Sequence, residues 1–483
     1  MRHRLTGHWF GAHILLVLLT TSVWTGNASK GMLVSSEEAR ALATPDLTPG
    51  LVSAAESQAT IDVDFSKPVG TVKPLQQVHG GPIPRQRGAA QLHEQYKQIG
   101  VDYVRPQDNW PFFDIDCIFP RMEADASSEA SYNFSSTDPH VRAIKSIGAD
   151  VFYRLGYSWG GPNTPPSDYE KLAEICKHIV MHYNQGWAKG FRYGIQYWEI
   201  WNEPNNKVFW TGTADQFYRL YDTIARILKT ADPSIKVGGP AVAIQLAGTG
   251  FLDGFLQFCK LRNSPLDFVS WHIYTQGLGP QLIAAKAFEV QSLLNQHGFD
   301  KAENILSEYN MFVLVPRTTP EYWNARGAAW AASALVYLQN TSVSKAFWYR
   351  GESELGRVPP PQAGPRWIVV EQYGLFYFNG TFKKHGYAFL AMKKLTETPV
   401  SLACTGSNNA GFAALAGKTM NGSSVRVLIS DFDANYEGFT LTVKNHTWQG
   451  KRIRCEIYLL DDTNNLALIE KSEQRKEGPI IIS

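Results

Sequence analysis

Two glutamates stand in company that suits chemistry better than structure. Residues 197–205 read YWEIWNEPN and residues 304–310 read NILSEYN. As a strand, the first segment alternates, so Trp198, Ile200 and Asn202 point one way and Glu199, Trp201 and Glu203 the other. Pro204 stops the strand because it has no amide hydrogen to give a ladder. Glu203 is therefore expected at the carboxyl end of a strand, beside an amide and among tryptophans. Glu308 is expected near the end of another. Two opposed carboxyls, one protonated and one ionised, are the minimal equipment for cleaving a glycosidic bond. The acid protonates the leaving oxygen, while the other attacks or guides water. Arg105, which closes the run VDYVR, has two readings: a structural partner for a carboxylate, or a partner of Glu308 that would also keep it ionised.

Competing chemistries find less support. GYSWG at 156–160 fits the GxSxG pattern of a nucleophile elbow, which needs a helix directly after the serine. Gly161, Pro162, Pro165 and Pro166 forbid that helix, so Ser158 is expected in a loop. With no HExxH and no carboxylate–histidine cluster, neither a catalytic metal nor a cofactor is expected.

The elements that must position the glutamates repeat along the chain. KQIGVDYVR (97–105) and KSIGADVFYR (145–154) each end a helical pattern on glycine and begin an apolar strand. SDYE from Ser167 and TADQ from Thr213 are capping boxes that open helices to about Tyr183 and Ala231. Strands are expected near 75–80 and at 101–105, 151–155, 195–201, 236–242, 267–274, 304–310 and 345–351, which makes eight. Eight strands alternating with helices argue for a (β/α)8 barrel over residues 60–398. An open doubly wound sheet is the alternative, without a GxGxxG or Walker loop to support it. Such barrels gather catalytic groups at the carboxyl ends of their strands. Those ends are Arg105, Asn202 with Glu203, His272 with Tyr274, Glu308 and Trp348. From 399 to 483 the texture changes to short strands and Gly/Asn turns, the pattern of a β-sandwich. Residues 29–59 read as a poorly ordered lead-in, and 352–384 as a long loop walling the site.

The N-terminus has a basic start, an apolar run near Ile14–Leu19 and small residues at Gly26 and Ala28. This reads as a secretory signal over 1–28, with no membrane span in the mature chain. Sequons at Asn133, Asn340, Asn379, Asn421 and Asn445, with one more at Asn27, agree with a secreted glycoprotein. Cys117, Cys176, Cys259, Cys404 and Cys455 form no CxxC pair; Cys404 and Cys455 share one region and are the candidates for a bridge. A net charge of +2 with scattered signs excludes the basic stripe of a nucleic-acid binder. Fourteen tryptophans offer faces on which sugar rings stack, among them Trp110, Trp159, Trp201, Trp210 and Trp348, although at least half are expected inside.

YWEIWNEPN, followed by KVGGP, DFVSWHIYT and ILSEYN, resembles glycoside hydrolase family 39, a clan A family of retaining enzymes that includes β-xylosidases and α-L-iduronidases. The similarity runs from about Asp64 to Leu395. It implies that Glu203 is the acid/base and Glu308 the nucleophile. It also implies that Asn202 hydrogen-bonds the sugar 2-hydroxyl, that Arg105 lies near the nucleophile, and that His272 and Tyr274 line the same pocket. After Arg105, where xylosidases of the family carry a histidine, this chain reads RPQDNW, so Gln107, Asp108 and Asn109 are expected at the glycone. His79, in QVHGG, has two readings: compensation for that histidine, or packing. The expected function is a secreted retaining exo-glycosidase of β-xylosidase type acting on an oligo- or polysaccharide or other glycoside. The alternatives on the same site are an α-L-arabinofuranosidase, β-glucosidase, β-galactosidase or uronidase, or a non-catalytic carbohydrate-binding barrel.

Overall fold

The computed structural model describes residues 13–19, 58–84, 91–107, 111–313, 319–352, 354–357, 367–370, 373–377, 379–433, 436, 439–450, 452–475 and 477–482. Strands β1 (His13–Leu19) and β2 (Ala59–Thr71) precede the barrel. The barrel strands are β3 (Gln77–His79), β4 (Tyr103–Arg105), β5 (Asp150–Leu155), β6 (Tyr197–Ile200), β7 (Lys236–Ala243), β8 (Phe268–Tyr274), β9 (Glu303–Asn310) and β10 (Val343–Tyr349). All neighbours pair in parallel, and β10 pairs with β3 to close the barrel. The eight strands expected from the sequence are these eight, in that order.

Local chemistry sets the joints. Gly100 and Gly148 have φ of +67° and +85°, so each repeat ends its helix on the left-handed residue that glycine allows. Thr213 forms the expected capping box with Gln216, opening the helix Ala214–Ala231. At SDYE the cap is Asp168 rather than Ser167: its carboxylate accepts from the Lys171 amide, and the helix is Tyr169–Asn184. Inside the barrel, Phe152, Tyr197, Phe268, Ile305 and Phe347 pack into an apolar layer. That layer closes the lumen beneath the polar mouth.

Strands β11 (Glu354–Arg357) and β12 (Trp367–Val370) pair as an antiparallel ribbon within the eighth βα loop. The C-terminal strands are β13 (Val400–Thr405), β14 (Phe412–Lys418), β15 (Ser424–Asp431), β16 (Phe439–Lys444), β17 (Arg452–Leu460), β18 (Asn465–Arg475) and β19 (Ile480–Ile482). They join one sheet in the order β18-β17-β1-β15-β14-β13-β2-β16-β19. Ile61, Val63, Val427, Ile429, Leu441, Val443 and Ile457 share its core. The β domain expected after residue 399 therefore also takes β2 from before the barrel, and the barrel starts at β3, not at residue 60. The apolar run read as a signal core forms β1, paired in parallel with both β15 and β17. Cys404 on β13 and Cys455 on β17 are separated by β14, β15 and β1, and both thiols are free, which corrects the expected bridge. Ser333 ties the sheet to the barrel through Gly411 and Ser430 at 2.8 and 2.9 Å. None of the described helices is long and apolar enough to cross a membrane.

Candidate active site

β6 ends at Ile200, and the chain then turns on two residues of positive φ, Trp201 (+74°) and Glu203 (+42°). The turn is pinned by the Trp201 amide on Leu155 O at 2.7 Å and the Glu203 amide on Ala241 O at 3.0 Å. Trp201 lies so close over Gly156 that a Cβ there would sit 3.2 Å from its backbone. The strict alternation expected through Glu203 therefore stops early, and Asn202 and Glu203 both serve the mouth.

Arg105, fully buried at the end of β4, organises one side of that mouth. Its Nε donates to Glu199 at 2.7 Å, Nη1 to Glu308 at 3.2 Å and Nη2 to Asn202 at 2.7 Å. Tyr274 donates its hydroxyl to the other Glu308 oxygen. Burial and then the Glu308 charge hold that phenol well above its ordinary range, so it remains a donor. Arg105 and Tyr274 thus donate to the two oxygens of Glu308, and the arginine sets a positive charge beside that carboxyl.

Glu203 is held differently. One oxygen meets His272 Nδ1 at 2.9 Å, and the other accepts from Asn206 Nδ2 at 2.9 Å. His272 Nε2 lies 3.1 Å from the Ser307 hydroxyl, so the ring is fixed through both of its nitrogens. One atom each of Glu203, His272 and Glu308 all lie within 4.8 Å of one another. Such a trio is also the shape of a three-ligand metal set. Here the Arg105 guanidinium already occupies the electrostatic place a cation would take on Glu308.

The family profile of glycosyl hydrolases family 39 matches residues 51–332. The chain belongs to glycosyl hydrolase family 39. It is similar to a β-xylosidase of Geobacillus stearothermophilus, 32% identical over 199 residues, which is 37% of each chain. A β-xylosidase of Caldicellulosiruptor saccharolyticus is 26% identical over 241 residues, 45% of this chain and 46% of that one. These alignments span less than half the length of either relative. A glucosidase from Croceicoccus marinus superposes with a TM-score of 0.74 at 28% identity, covering 88% of this chain and 96% of that one. A family 39 β-xylosidase from Caulobacter crescentus, at 20% identity and a TM-score of 0.63 over 82% and 85% of the two chains, shares the fold.

Within this family 39 barrel, the remaining expected residues divide. His79 is buried, with Nε2 at 3.5 Å from Glu308, too long for a hydrogen bond, and its ring tilts over Tyr349 at 4.6 Å. Among the described residues neither of its nitrogens has a hydrogen-bond partner, and burial, then the charges of Arg105 and Arg350, hold it neutral. Asp108 lies outside the described residues, as do Asn109 and Trp110. Gln107 is buried and accepts from Arg154 Nε. Trp348 is a correction: it packs on Trp330, His385 and Phe389, on the helical side of β10. Strand alternation gives the mouth Tyr349 instead, against His79 and Tyr274. Ser158 sits in a loop, with its amide and hydroxyl both on Asp114 at 2.8 Å.

Sequence reasoning missed Glu199, Arg154, Asn206 and Ser307. Glu199 had a signal, since it shares the alternating face of Glu203. Asn206 and Ser307 had none, because the Asn206 contact depends on the turn that follows β6 and the Ser307 contact on the pairing of β8 with β9.

Proposed function

We propose that the chain is a retaining exo-glycosidase of β-xylosidase type that works by double displacement. The observation carrying this reading is the short approach of the two differently held glutamates, with oxygens within 4.8 Å. Retaining sites separate their carboxyls by about 5–5.5 Å, and inverting sites by about 6.5–9.5 Å to admit a water. Glu308, ionised beside Arg105, attacks the anomeric carbon. Glu203 protonates the departing oxygen, then removes a proton from the water that releases the sugar from Glu308. Asn202, its amide oxygen engaged by Arg105, has its nitrogen left for a sugar hydroxyl. The β-xylosidase type is supported by the names of the sequence relatives. A β-glucosidase on the same site is the second reading, favoured by the likeness to the Croceicoccus glucosidase over most of both chains.

Nitrophenyl β-xyloside and β-glucoside, tried side by side, separate the two glycones. The roles are tested by azide. Glu203→Ala should spare leaving groups that depart unprotonated and yield a glycosyl azide of retained configuration. Glu308→Ala should give the inverted azide, because azide enters from the nucleophile's face. Reversed configurations, or wild-type turnover by Glu308→Ala, would sink the assignment. Secretion is proposed too, supported by the exposure of all five internal sequon asparagines. Secreted protein whose mobility does not change on N-deglycosylation would count against the glycoprotein reading.

A further inference from the structure

β7 and β8 form the barrel wall between the strand that leads to Glu203 and the strand that carries Glu308. The lumen face of β8 presents Phe268, Ser270, His272 and Tyr274 in alternation. Phe268 belongs to the apolar layer, His272 meets Glu203 at 2.9 Å and Tyr274 donates to Glu308. Ser270, fully buried and standing between Phe268 and His272, is the member of this row that the mechanism above does not use.

At this level β8 pairs irregularly with both neighbours. On β7, Pro240 lies opposite Ser270 and Val242 opposite Trp271, so Ala241 is an extra residue. On β9, Leu306 lies opposite Trp271 and Glu308 opposite His272, so Ser307 is another. Such bulges re-aim side chains beside active sites. The one on β9 decides where Glu308 points. Ile305 faces the lumen and Leu306 the outer core, so plain alternation would turn Ser307 inward and Glu308 outward. The extra residue leaves both inside, Ser307 on His272 Nε2 and Glu308 on Arg105. The bulge on β7 serves the acid. Ala241 has a φ of +56°, its amide donates to Ser270 Oγ at 2.9 Å, and its carbonyl accepts from the Glu203 amide at 3.0 Å.

We infer that Ser270 is a positioning residue for the acid, acting through the Ala241 bulge on the backbone of Glu203. The inference rests on the glycosidase reading above and adds a residue to it. The torsion φ of Ala241 links the amide that Ser270 holds to the carbonyl that Glu203 uses. A residue with a Cβ keeps a positive φ only while its surroundings hold it there. Without the serine oxygen the Ala241 amide is buried with no acceptor, and φ relaxes toward the ordinary strand region. That rotation swings the carbonyl away from the Glu203 amide. His272 and Asn206 hold the Glu203 carboxyl at its tip, so Ser270 secures the other end of the residue, its backbone. A small displacement of an acid from the oxygen it must protonate is costly in rate.

The test compares kcat/KM for phenyl and dinitrophenyl β-xylosides and β-glucosides. Phenolate leaves only with a proton from the acid, whereas dinitrophenolate departs without one, and both values report attack by the same nucleophile. Their ratio therefore reads the acid, and it is independent of the fraction of enzyme that is folded. In Ser270→Ala, and in Ser270→Cys, which fills the site with a weaker acceptor, the phenyl-to-dinitrophenyl ratio should fall at least about tenfold. Ser270→Thr keeps the hydroxyl oxygen and should hold the ratio within about threefold of the parent value. Equal losses on the two aglycones in Ser270→Ala and Ser270→Cys would mark a hydroxyl that serves stability alone and would overturn the inference. A ratio that falls as far in Ser270→Thr would overturn it too. A parent protein that hydrolyses none of the four glycosides would instead overturn the glycosidase reading, and the inference with it.

Discussion

Replacing Arg105 with methionine tests the electrostatics of the whole site in one change. The guanidinium is the shared partner of two buried carboxylates, Glu199 at 2.7 Å and Glu308 at 3.2 Å, and a donor to Asn202. Methionine keeps the stem and removes the charge. Breaking one buried pair typically costs about 3–5 kcal/mol, because a charge is left unpaired. Two such losses do not add, since one stranded carboxylate can take up a proton instead. Against an ordinary glutamate value of about 4.3, that proton costs about 3.7 kcal/mol at pH 7. Leaving Asn202 Oδ1 without its donor adds about 1 kcal/mol. The deficit at pH 7 should therefore be at least about 5 kcal/mol, before the cost of the carboxylate that stays ionised is added. The sign of its pH dependence follows from the same proton. A carboxyl that stays protonated in the folded variant lends stability that is present below its unfolded value and lost as pH rises. At pH 5 the proton costs only about 1 kcal/mol, so the deficit should shrink by about 2.7 kcal/mol. Urea midpoints of parent and variant at the two pH values measure this directly. Turnover should fall at least about a hundredfold, as for loss of a preorganised charge partner. A deficit below about 1 kcal/mol at pH 7, or one that does not change with pH, would refute the shared-partner account.

Asn206→Ala removes a donor from Glu203 while leaving His272 in place. A hydrogen bond to a charged group is worth about 1.5–3 kcal/mol, so kcat/KM for alkyl glycosides should drop roughly 10- to 100-fold, with little change for dinitrophenyl glycosides, whose leaving group departs unprotonated. Asp114 is buried against Arg154 at 2.7 Å, and burial pushes its carboxyl up to about 6 from an ordinary 3.8. Its contribution to stability is therefore present below about pH 4 and lost as pH rises through about 6. Asp114→Asn should remove that slope, so urea midpoints should favour the variant by up to about 3 kcal/mol more at pH 7 than at pH 4.

The sequence by itself determined the barrel, the order of its strands and the two glutamates at the mouth. These follow from local patterns: glycine stops, a capping box and apolar runs placed at regular intervals fix each element, and strand–helix alternation fixes which strand ends face the same way. Periodicity says which residues share a face, but not which face looks inward. Hence Trp348 was expected at the mouth where Tyr349 lies, and Glu199 gave no sign that it would meet Arg105 across the lumen. The turn after β6 was also beyond a local reading. Its positive φ at Trp201 and Glu203 is held by Leu155 and Ala241, on neighbouring strands. The β domain shows the same limit over a longer span. Backbone pairing has no sequence signature of its own, so only the closed structure could bring β2 between β13 and β16 and set Cys404 and Cys455 apart on separate strands of one sheet.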